Sequence, residues 1–286
     1  MNTQVRLTLR TSPDLPVEAE TLNPENVTGK RSDEIEALPL LVGNRQESVG
    51  DHFQVEVLTD HSHVQAQDDG GLATLLLSGN LQRFKRLGEH LGAGRMVVDG
   101  PVGFNAGAYM SGGTLTIKGD AGDYLGAHME GGLIEVLGSA GNFAGAAYRG
   151  HKHGMTGGAV IIHGDCGQMA GGRMRRGLVA VAGSCGDVPG FGMRAGTVLV
   201  GGPTGIRPGA DMSRGSVILL TRPQALLPTF RYDCAYRPPF WPLLLAWLAK
   251  MGLDLAETGP KALFERYSGD ANEGARGEVL VCRSRL

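Results

Sequence analysis

A repeat of 19 residues constrains the fold of this chain more than any other feature. Glycine recurs in three columns, and each column has the same steps of 19, 19, 26, 19 and 19 residues. The columns are Gly100, Gly119, Gly138, Gly164, Gly183 and Gly202; Gly103, Gly122, Gly141, Gly167, Gly186 and Gly205; and Gly107, Gly126, Gly145, Gly171, Gly190 and Gly209. The one longer step indicates a seven-residue insertion between Gly145 and Gly164. Fixed periodicity of this length is typical of a solenoid, in which similar coils stack on one another.

Each repeat contains one short strand, because its second and fourth positions are apolar in every copy. The second position reads Met96, Leu115, Ile134, Val160, Val179, Val198 and Val217, and the fourth reads Val98, Ile117, Val136, Ile162, Val181, Val200 and Leu219. This alternation is typical of a β-strand, and no repeat carries a helical pattern of ten residues. Glycines provide the corner conformations between strands. We therefore predict an all-β fold, a right-handed parallel β-helix of about seven to eight rungs.

The repeats divide the chain into three predicted parts. Residues 1–72 form an N-terminal cap, residues 73–221 the glycine-rich β-helix, and residues 222–286 a C-terminal extension. Caps are expected because the open ends of such a stack are exposed sheet edges. The last strand of the stack is predicted at 217–220. The elements predicted outside the stack are strands at 5–9, 53–58 and 278–282 and helices at 32–37, 240–251 and 260–267.

Charge and composition disfavour several classes of protein. The chain has 27 basic and 29 acidic residues, so its overall charge does not favour nucleic acid. Cys166 and Cys185 lie one repeat apart and are expected to stack as buried free thiols, although a bridge between them is an alternative. The N-terminus has no apolar signal core, and the most apolar stretch, 240–248, is too short to span a bilayer. We expect a cytoplasmic protein without a membrane partner.

No motif of the sequence indicates catalysis by this chain. There is no GxSxG, HExxH or phosphate-binding loop. The densest histidine cluster is His151 and His153, with His128 and His163 on neighbouring repeats. A lysine separates the first two, and no carboxylate or cysteine lies close in sequence, so a metal site is disfavoured. We expect neither catalytic residues nor a metal on this chain.

Two further columns follow the same period. The first is predicted to pack in the core and reads Met110, Met129, Tyr148, Met174, Met193 and Met212. The position after it places Arg149, Arg175 and Arg194 on three consecutive rungs, with His151, Lys152 and His153 beside Arg149. Like charges at strand spacing repel one another unless an anion lies between them. These side chains either pair with acidic residues of a partner, remain solvated, or bind a row of anions.

Several segments carry a resemblance to a known family. The insertion reads YRGHKHGMTGG at 148–158, similar to a YRG-x-x-x-GM-[ST]-GG segment, and the N-terminal part contains GKRSDEI at 29–35, GN at 43–44 and GDHF at 50–53. With the GxxGxxxG rungs, these segments resemble the family of formylmethanofuran dehydrogenase C subunits over roughly residues 5–286. The same type of β-helix occurs at the C-terminus of the glutamate synthase large subunit.

The resemblance implies a non-catalytic structural subunit of an enzyme complex in one-carbon metabolism. Complexes of the bacterial branch of this family transfer a formyl group from formyl-tetrahydromethanopterin to a methanofuran-type carrier and hydrolyse it to formate. The Trp- and Leu-rich helix at 239–251 favours this branch. Partners would be an amidohydrolase-like A subunit, with a metal expected to be zinc, a B subunit and a formyltransferase D subunit. The alternatives are the C subunit of a molybdenum or tungsten formylmethanofuran dehydrogenase, a linking domain like that of glutamate synthase, and a β-helical surface protein, which the lack of an export signal disfavours.

The resemblance also suggests binding sites. Carriers of this kind have polyglutamate tails, and a row of guanidinium groups suits a row of carboxylates. The candidate residues are Arg149, His151, Lys152, His153, Arg175 and Arg194. Trp241 and Trp247 are candidates for an interface with a partner. The alternative is that both tryptophans pack on the flank of the β-helix.

Overall fold

The computed structural model describes residues 2–60 and 71–283, and most of its elements are strands. The strands are β1 (Asn2–Leu9), β2 (Val17–Glu18), β3 (Pro39–Val42), β4 (Arg45–Ser48), β5 (Phe53–Asp60), β6 (Thr74–Ser78), β7 (Phe84–Lys85), β8 (Arg95–Asp99), β9 (Thr114–Ile117), β10 (Leu133–Val136), β11 (Ala159–Ile162), β12 (Leu178–Val181), β13 (Thr197–Val200), β14 (Arg214–Leu219), β15 (Arg231–Tyr236), β16 (Phe264–Gly269) and β17 (Arg276–Cys282). The helices are α1 (Pro24–Val27), α2 (Ser32–Glu36), α3 (Val49–His52) and α4 (Trp241–Lys250), with 3-10 turns at Ala256–Thr258 and Ala271–Glu273.

The main sheet has thirteen strands in the order β15-β16-β17-β14-β13-β12-β11-β10-β9-β8-β6-β1-β5. From β6 to β14 every neighbouring pair is parallel, and the partners are equivalent positions of successive repeats. Leu115 pairs with Ile134, and Ile134 pairs with Val160 across the insertion. The alternating apolar side chains that the sequence predicts as core, such as Leu115 and Ile117, are fully buried. The predicted strands and their register along the repeats are therefore confirmed.

A second row of parallel pairings runs along the corners of the repeats. Its members are Leu81, Val102, Ala121, Ala140, Cys166, Cys185 and Thr204. Side chains reinforce the row from repeat to repeat: Asp120 Oδ1 accepts from the Ser139 N–H at 2.8 Å, and Ser139 Oγ accepts from the Asp165 N–H at 3.1 Å. The chain thus returns to the same two lines in every repeat. Cys166 and Cys185 are buried free thiols in this row, as predicted.

Glycine is required where successive repeats approach each other most closely. A Cβ atom on Gly112 would lie 2.0 Å from the carbonyl oxygen of Gly92 in the preceding repeat. Gly107 has φ +64°, and a Cβ there would lie 2.4 Å from Cδ1 of Ile134. Any larger residue at these two positions would push the repeats apart. The glycine columns therefore reflect packing between repeats as well as turning of the chain.

The N-terminal segment extends the main sheet beyond the first repeat. β1 pairs in parallel with β6 and antiparallel with β5, so the parallel edge is continued by two further strands. A small four-stranded sheet, in the order β4-β3-β2-β7, lies beside it. The predicted strands at 5–9 and 53–58 and the helix at 32–37 correspond to β1, β5 and α2 and are confirmed.

The C-terminal segment departs from the prediction in two ways. The parallel sheet does not end at β14, because β17 pairs with it in parallel and β16 and β15 follow antiparallel. The helix predicted at 260–267 is wrong, since Phe264–Gly269 forms β16. Phe264 is fully buried, and the segment is hydrogen-bonded between two strands, so tertiary pairing overrides its local preference. The predicted strand at 278–282 and the helix at 240–251 are confirmed as β17 and α4.

The outer face of the later repeats is apolar and is covered by α4. Ile161, Ala180, Leu199 and Ile218 point away from the core of the repeats, yet all four are fully buried. They pack in one cluster with residues of α4 and the segment after it, which include Trp241, Leu248 and Leu253. The earlier strands carry Thr116 and Glu135 at the equivalent position. The change from polar to apolar along this column matches the part of the sheet that α4 covers.

Candidate functional site

The insertion in the repeat is a loop of seven residues, 147–153, and neighbouring backbone atoms hold both of its ends. The Ala147 N–H donates to Gly172 O at 3.0 Å, and the Gly154 N–H donates to Arg173 O at 2.9 Å. The Met155 N–H donates to Gly145 O at 3.0 Å, and this hydrogen bond closes the loop. The loop therefore projects from a regular repeat without changing the register of the strands on either side.

This geometry corrects the alignment of two sequence columns. Met155, and not Tyr148, occupies the methionine column, whose members are all fully buried: Met110, Met129, Met155, Met174, Met193 and Met212. The next position is held by Thr156, whose N–H donates to Met129 O, as the Arg175 N–H donates to Met155 O. The assignment of Tyr148 and Arg149 to these columns is therefore wrong. The physical reason is that the extra residues precede the methionine and do not follow it.

Four arginines and a histidine line an open cavity of about 680 Å³ on the surface of the later repeats. Arg175 and Arg194 belong to successive repeats, and their N–H groups make equivalent hydrogen bonds to the methionine column. We call this cavity the basic groove; its lining residues are His153, Thr156, Arg175, Arg176, Arg194, Ala195, Ser213 and Arg214. Each of the four arginines is exposed, so the guanidinium groups are open to solvent and to a ligand.

The positive charge of the basic groove is only partly balanced within the chain. Arg194 pairs with Glu273 Oε2 at 3.5 Å and donates to Ser213 Oγ at 3.4 Å. Among residues 2–60 and 71–283, no acidic side chain forms an ion pair with Arg175, Arg176 or Arg214. Guanidinium groups that line one cavity repel one another, and an anion with several carboxylates would relieve that repulsion.

A smaller cavity of about 390 Å³ adjoins the groove and shares His153 and Arg194 with it. Lys152 and Arg173 add two further positive charges, and Asp211 provides one negative charge. Gly192 lies between Arg173 and Asp211. A Cβ atom on Gly192 would be 3.2 Å from Cγ of Arg173 and 3.5 Å from Oδ2 of Asp211. The absence of a side chain at 192 therefore leaves this cavity open beside the groove.

The six residues predicted as a binding site divide into separate groups. His153, Arg175 and Arg194 lie together in the basic groove, and Lys152 lies in the cavity that adjoins it. Arg149 lines a different cavity, formed by aromatic residues, and the ring of His151 contacts His128. The prediction omitted Arg176 and Arg214 from the site. Their positions next to Arg175 and Ser213 in the repeat were the sequence signal for them.

A stack of aromatic rings holds the insertion in place. His90, Tyr109 and His128 occupy successive repeats with ring centroids 5.2 and 4.9 Å apart and nearly parallel planes. Nε2 of His128 accepts a hydrogen bond from the Tyr148 N–H at 3.0 Å, which requires that nitrogen to be unprotonated. Burial, with a smaller effect of nearby His151, lowers the pKa of His128. Burial also raises the pKa values of Tyr109 and Tyr148. The insertion is thus anchored on a neutral histidine.

The two tryptophans of α4 have different environments. Trp241 is 1% exposed; its ring packs against Phe264 at 5.0 Å, and its Nε1 donates to Gly259 O at 3.1 Å. Trp247 is 37% exposed, and Leu243 of the same helix is 75% exposed. The side chain of Trp241 therefore packs and forms its hydrogen bond within the chain. The open apolar surface of α4 is formed by Leu243 and Trp247.

Neither a metal centre nor a membrane span is found in the described part of the chain. Within residues 2–60 and 71–283, no three histidine, cysteine, aspartate or glutamate side chains are arranged to hold a metal ion. His163, one of the histidines near the insertion in sequence, instead contacts Glu135 Oε1 at 3.2 Å. No helix among these residues is long and apolar enough to cross a bilayer.

Comparison with known proteins identifies several relatives, although no protein-family model matches the chain. The C subunit of the tungsten-containing formylmethanofuran dehydrogenase 2 of Methanothermobacter marburgensis is 32% identical over 105 residues, which are 37% of this chain and 36% of that protein. The C subunit of the molybdenum-containing formylmethanofuran dehydrogenase 1 of the same organism is 32% identical over 93 residues, which are 32% of this chain and 21% of that protein. The chain thus matches about a third or less of the length of these two curated relatives.

A solved structure is similar over nearly the full chain. It is the crystal structure of the formyltransferase/hydrolase complex FhcABCD of Methylorubrum extorquens with methylofuran. The similarity has a TM-score of 0.84 with 34% identical residues, and it covers 96% of this chain and 98% of the chain in that structure.

Proposed function

This chain belongs to the family of formylmethanofuran dehydrogenase C subunits, and we propose that it is a non-catalytic structural subunit of a formyltransferase/hydrolase complex. The complex would move a formyl group from formyl-tetrahydromethanopterin to a methanofuran-type carrier and hydrolyse it to formate. One observation carries the proposal: the similarity to a chain of such a complex spans nearly the full length of both chains. Hydrolysis at a metal, expected to be zinc, is assigned to an amidohydrolase-like A subunit, and formyl transfer to a D subunit, with the B subunit as the remaining partner.

The architecture suits a structural role if the repeats wind as a right-handed parallel β-helix. Two rows of parallel pairings at a constant spacing support this winding. Of the predicted N-terminal cap, residues 1–72, strands β1 and β5 occupy the sheet edge at one end of the stack. Of the predicted C-terminal extension, residues 222–286, strands β17, β16 and β15 continue the sheet at the other end and α4 covers its flank. The repeats in between, 73–221, present a rigid surface for partners and carrier.

The basic groove binds the polyglutamate tail of the carrier in this proposal. Its four arginines are exposed, and Arg194 alone among them pairs with an acidic side chain of the described chain. A tail held here tethers the reactive end of the carrier close to two active sites on partner subunits, which raises its effective concentration at each. Arg149, predicted for the same role, lies outside the groove. His151, also predicted for it, instead packs against His128 and helps to hold the insertion in place.

Co-purification tests the assignment to the complex. An affinity-tagged form of this chain should recover three further subunits, and the preparation should convert formyl-tetrahydromethanopterin to formate. Metal analysis distinguishes the formyltransferase/hydrolase complex from the main alternative. In that alternative the chain is the C subunit of a reductive formylmethanofuran dehydrogenase, which the names of the curated relatives favour. Stoichiometric tungsten or molybdenum in the preparation would support that alternative. Recovery of the chain alone would contradict both.

Substitution tests the tail site within the intact complex. Arg175→Ala with Arg194→Ala should weaken carrier retention and lower formate production without changing subunit composition. Arg45→Ala removes an exposed arginine of the small N-terminal sheet, far from the groove in the fold, and serves as the matched control. If the groove variant retains carrier as well as the control does, the tail is bound elsewhere.

A further inference from the structure

A third cavity, of about 380 Å³, lies between the insertion and the corners of the repeats. Its walls include the rings of Tyr124, Phe143 and Tyr148 and the side chain of Met169. Arg149 and Arg173 also line it, and no acidic residue is among its lining residues in the described chain. We call it the aromatic cavity. Its volume lies within the range of small-molecule sites, about 300–1,000 Å³.

The rings of the cavity are arranged to receive another ring. Tyr124 and Phe143 stack in successive repeats with centroids 4.7 Å apart and planes 13° from parallel. Tyr148, from the insertion, tilts by 53° against Tyr124 at 5.0 Å. Tyr124 and Phe143 cover one face of each other, so an incoming planar group would contact the remaining faces or edges of the rings. Aromatic pairs favour both of these contacts.

The backbone at these positions is one that bulky side chains rarely adopt. Tyr124, Phe143 and Met169 have φ values of +61°, +66° and +59°. Glycine would take these conformations without strain, as it does at many corners of the repeat. All three side chains are only half-buried, so they contribute less to the core than a fully enclosed residue would. The same corner of other repeats carries Asn105, Val188 and Arg207 at similar φ values, so the conformation belongs to the repeat, and what distinguishes the cavity is the pair of stacked rings at this corner.

The charges at the rim are positive, and neither forms an ion pair with an acidic side chain of residues 2–60 and 71–283. Nη1 of Arg173 donates to His151 O at 2.8 Å, which fixes this guanidinium between the insertion and the repeats. Arg149 is exposed on the insertion, and no carboxylate in the described chain pairs with it. A ligand that fills the cavity with an aromatic ring would thus place any anionic substituent close to two guanidinium groups. Such contacts are strengthened by charge.

We propose that the aromatic cavity is a binding site for a small planar aromatic group that carries a carboxylate. The ring would stack on Phe143 beside Tyr148, and the carboxylate would contact Arg149 and Arg173. None of the residues that line the aromatic cavity belongs to the basic groove. The two sites can therefore be tested independently, and failure of one leaves the other unaffected.

The first experiment measures which part of the ligand is recognised. The full chain, in the complex in which it is isolated, is titrated with phenylacetate, 2-phenylethanol and acetate, and binding is followed by saturation-transfer NMR. Phenylacetate should bind at least about fivefold more tightly than the neutral ring or the ring-free carboxylate. Equal binding of acetate and phenylacetate would contradict a site that recognises a ring.

The second experiment locates the site with matched variants. Phe143→Ala should weaken phenylacetate binding about three- to tenfold, the range of one aromatic pair. Arg149→Ala, on an exposed loop where a change should not affect folding, should weaken it about two- to fivefold. Phe104→Ala removes another phenylalanine, 52% exposed and outside the cavity, and should have no effect. Unchanged binding in both Phe143→Ala and Arg149→Ala would overturn the proposal.

Discussion

At the scale of single residues, the space between repeats leaves no room for a β-carbon at several glycines. Gly112 is one of the sharpest cases, because the added atom would meet a backbone oxygen that cannot rotate away. Gly112→Ala should destabilise the protein by at least about 3 kcal/mol, the upper end for overpacking. Gly150→Ala is the control, since nothing lies within 4 Å of its Cβ position and only its φ of +84° is unfavourable. That change should cost about 1 kcal/mol. Denaturant unfolding of the purified protein measures both, and equal losses would contradict the steric argument.

His128 makes the stability of the folded chain depend on pH. Its folded-state pKa is lowered below 6.5 by burial and by His151, so at mildly acidic pH the unfolded chain binds more protons than the folded chain. The stabilising contribution of neutral His128 is therefore present above about pH 6.5 and is lost as pH falls through that value towards the folded pKa. We expect thermal stability to decrease between pH 7 and pH 5. Protonation also removes the acceptor for the Tyr148 N–H, so the insertion should loosen over the same range.

His128→Phe separates this titration from the ring stack. Phenylalanine keeps a planar ring between Tyr109 and Tyr148 but neither titrates nor accepts a hydrogen bond. The variant should be less stable at pH 7.5 by about 1 kcal/mol, the value of one hydrogen bond, and its stability should change less between pH 7 and pH 5. A pH profile parallel to that of the unmodified protein would show that other groups titrate.

At the scale of elements, strands and register could be predicted because the repeat fixes both. Alternation gives the strands, and equal spacing gives their partners, so Leu115 and Ile134 are paired correctly from the sequence alone. The insertion could not be placed by the same counting. Tyr148 lies at the correct distance after Gly145, whereas Met155 lies at the correct distance before the next strand. The run Met155-Thr-Gly-Gly, which repeats the pattern at Met129, was the local signal that decides between them.

The segment at 260–267 illustrates a second limit of the sequence. Its strand exists because β15 and β17 lie on either side of it, and these pairings join residues distant in the chain. Separation along the sequence also limits prediction of the site. Glu273, the partner of Arg194, belongs to a 3-10 turn far along the chain. Periodicity predicted Arg175 and Arg194 as neighbours, but it carried no information about a side chain outside the repeats.

Helix α4 has two faces with different expected effects. Trp241→Ala would empty a buried position against Phe264 and should lower the stability of the chain by about 3–5 kcal/mol. Leu243→Ser changes an exposed position and should alter stability by less than about 0.5 kcal/mol. If the open face of α4 is an interface with a partner, the serine variant should still reduce recovery of partner subunits in a pull-down. Full recovery with Leu243→Ser and Trp247→Ser together would exclude this face as an interface.

At the scale of the whole molecule, a nearly neutral chain concentrates positive charge in one place. The formal net charge is −2, so attraction of an anionic tail has to come from the local field of the basic groove. The repeats supply the four arginines that line the groove, and the C-terminal extension supplies Glu273, which is not a lining residue but contacts one of them. That carboxylate already pairs with Arg194. The extension therefore competes with any anion for one of the four guanidinium groups.

This competition predicts a variant that binds more tightly than the natural chain. Glu273→Gln removes the charge that pairs with Arg194 at 3.5 Å and leaves a side chain of the same shape. Affinity for hexaglutamate, measured by calorimetry with the intact complex, should rise about two- to fivefold, the value of one exposed ion pair. Arg194→Ala should abolish the gain, because both changes act through the same guanidinium. Raising the salt concentration from about 0.05 to 0.5 M should weaken binding in the natural chain and reduce the difference between the two forms, since screening acts on exposed charges. Tighter binding that persists in the double variant would mean that Glu273 acts elsewhere than in the groove.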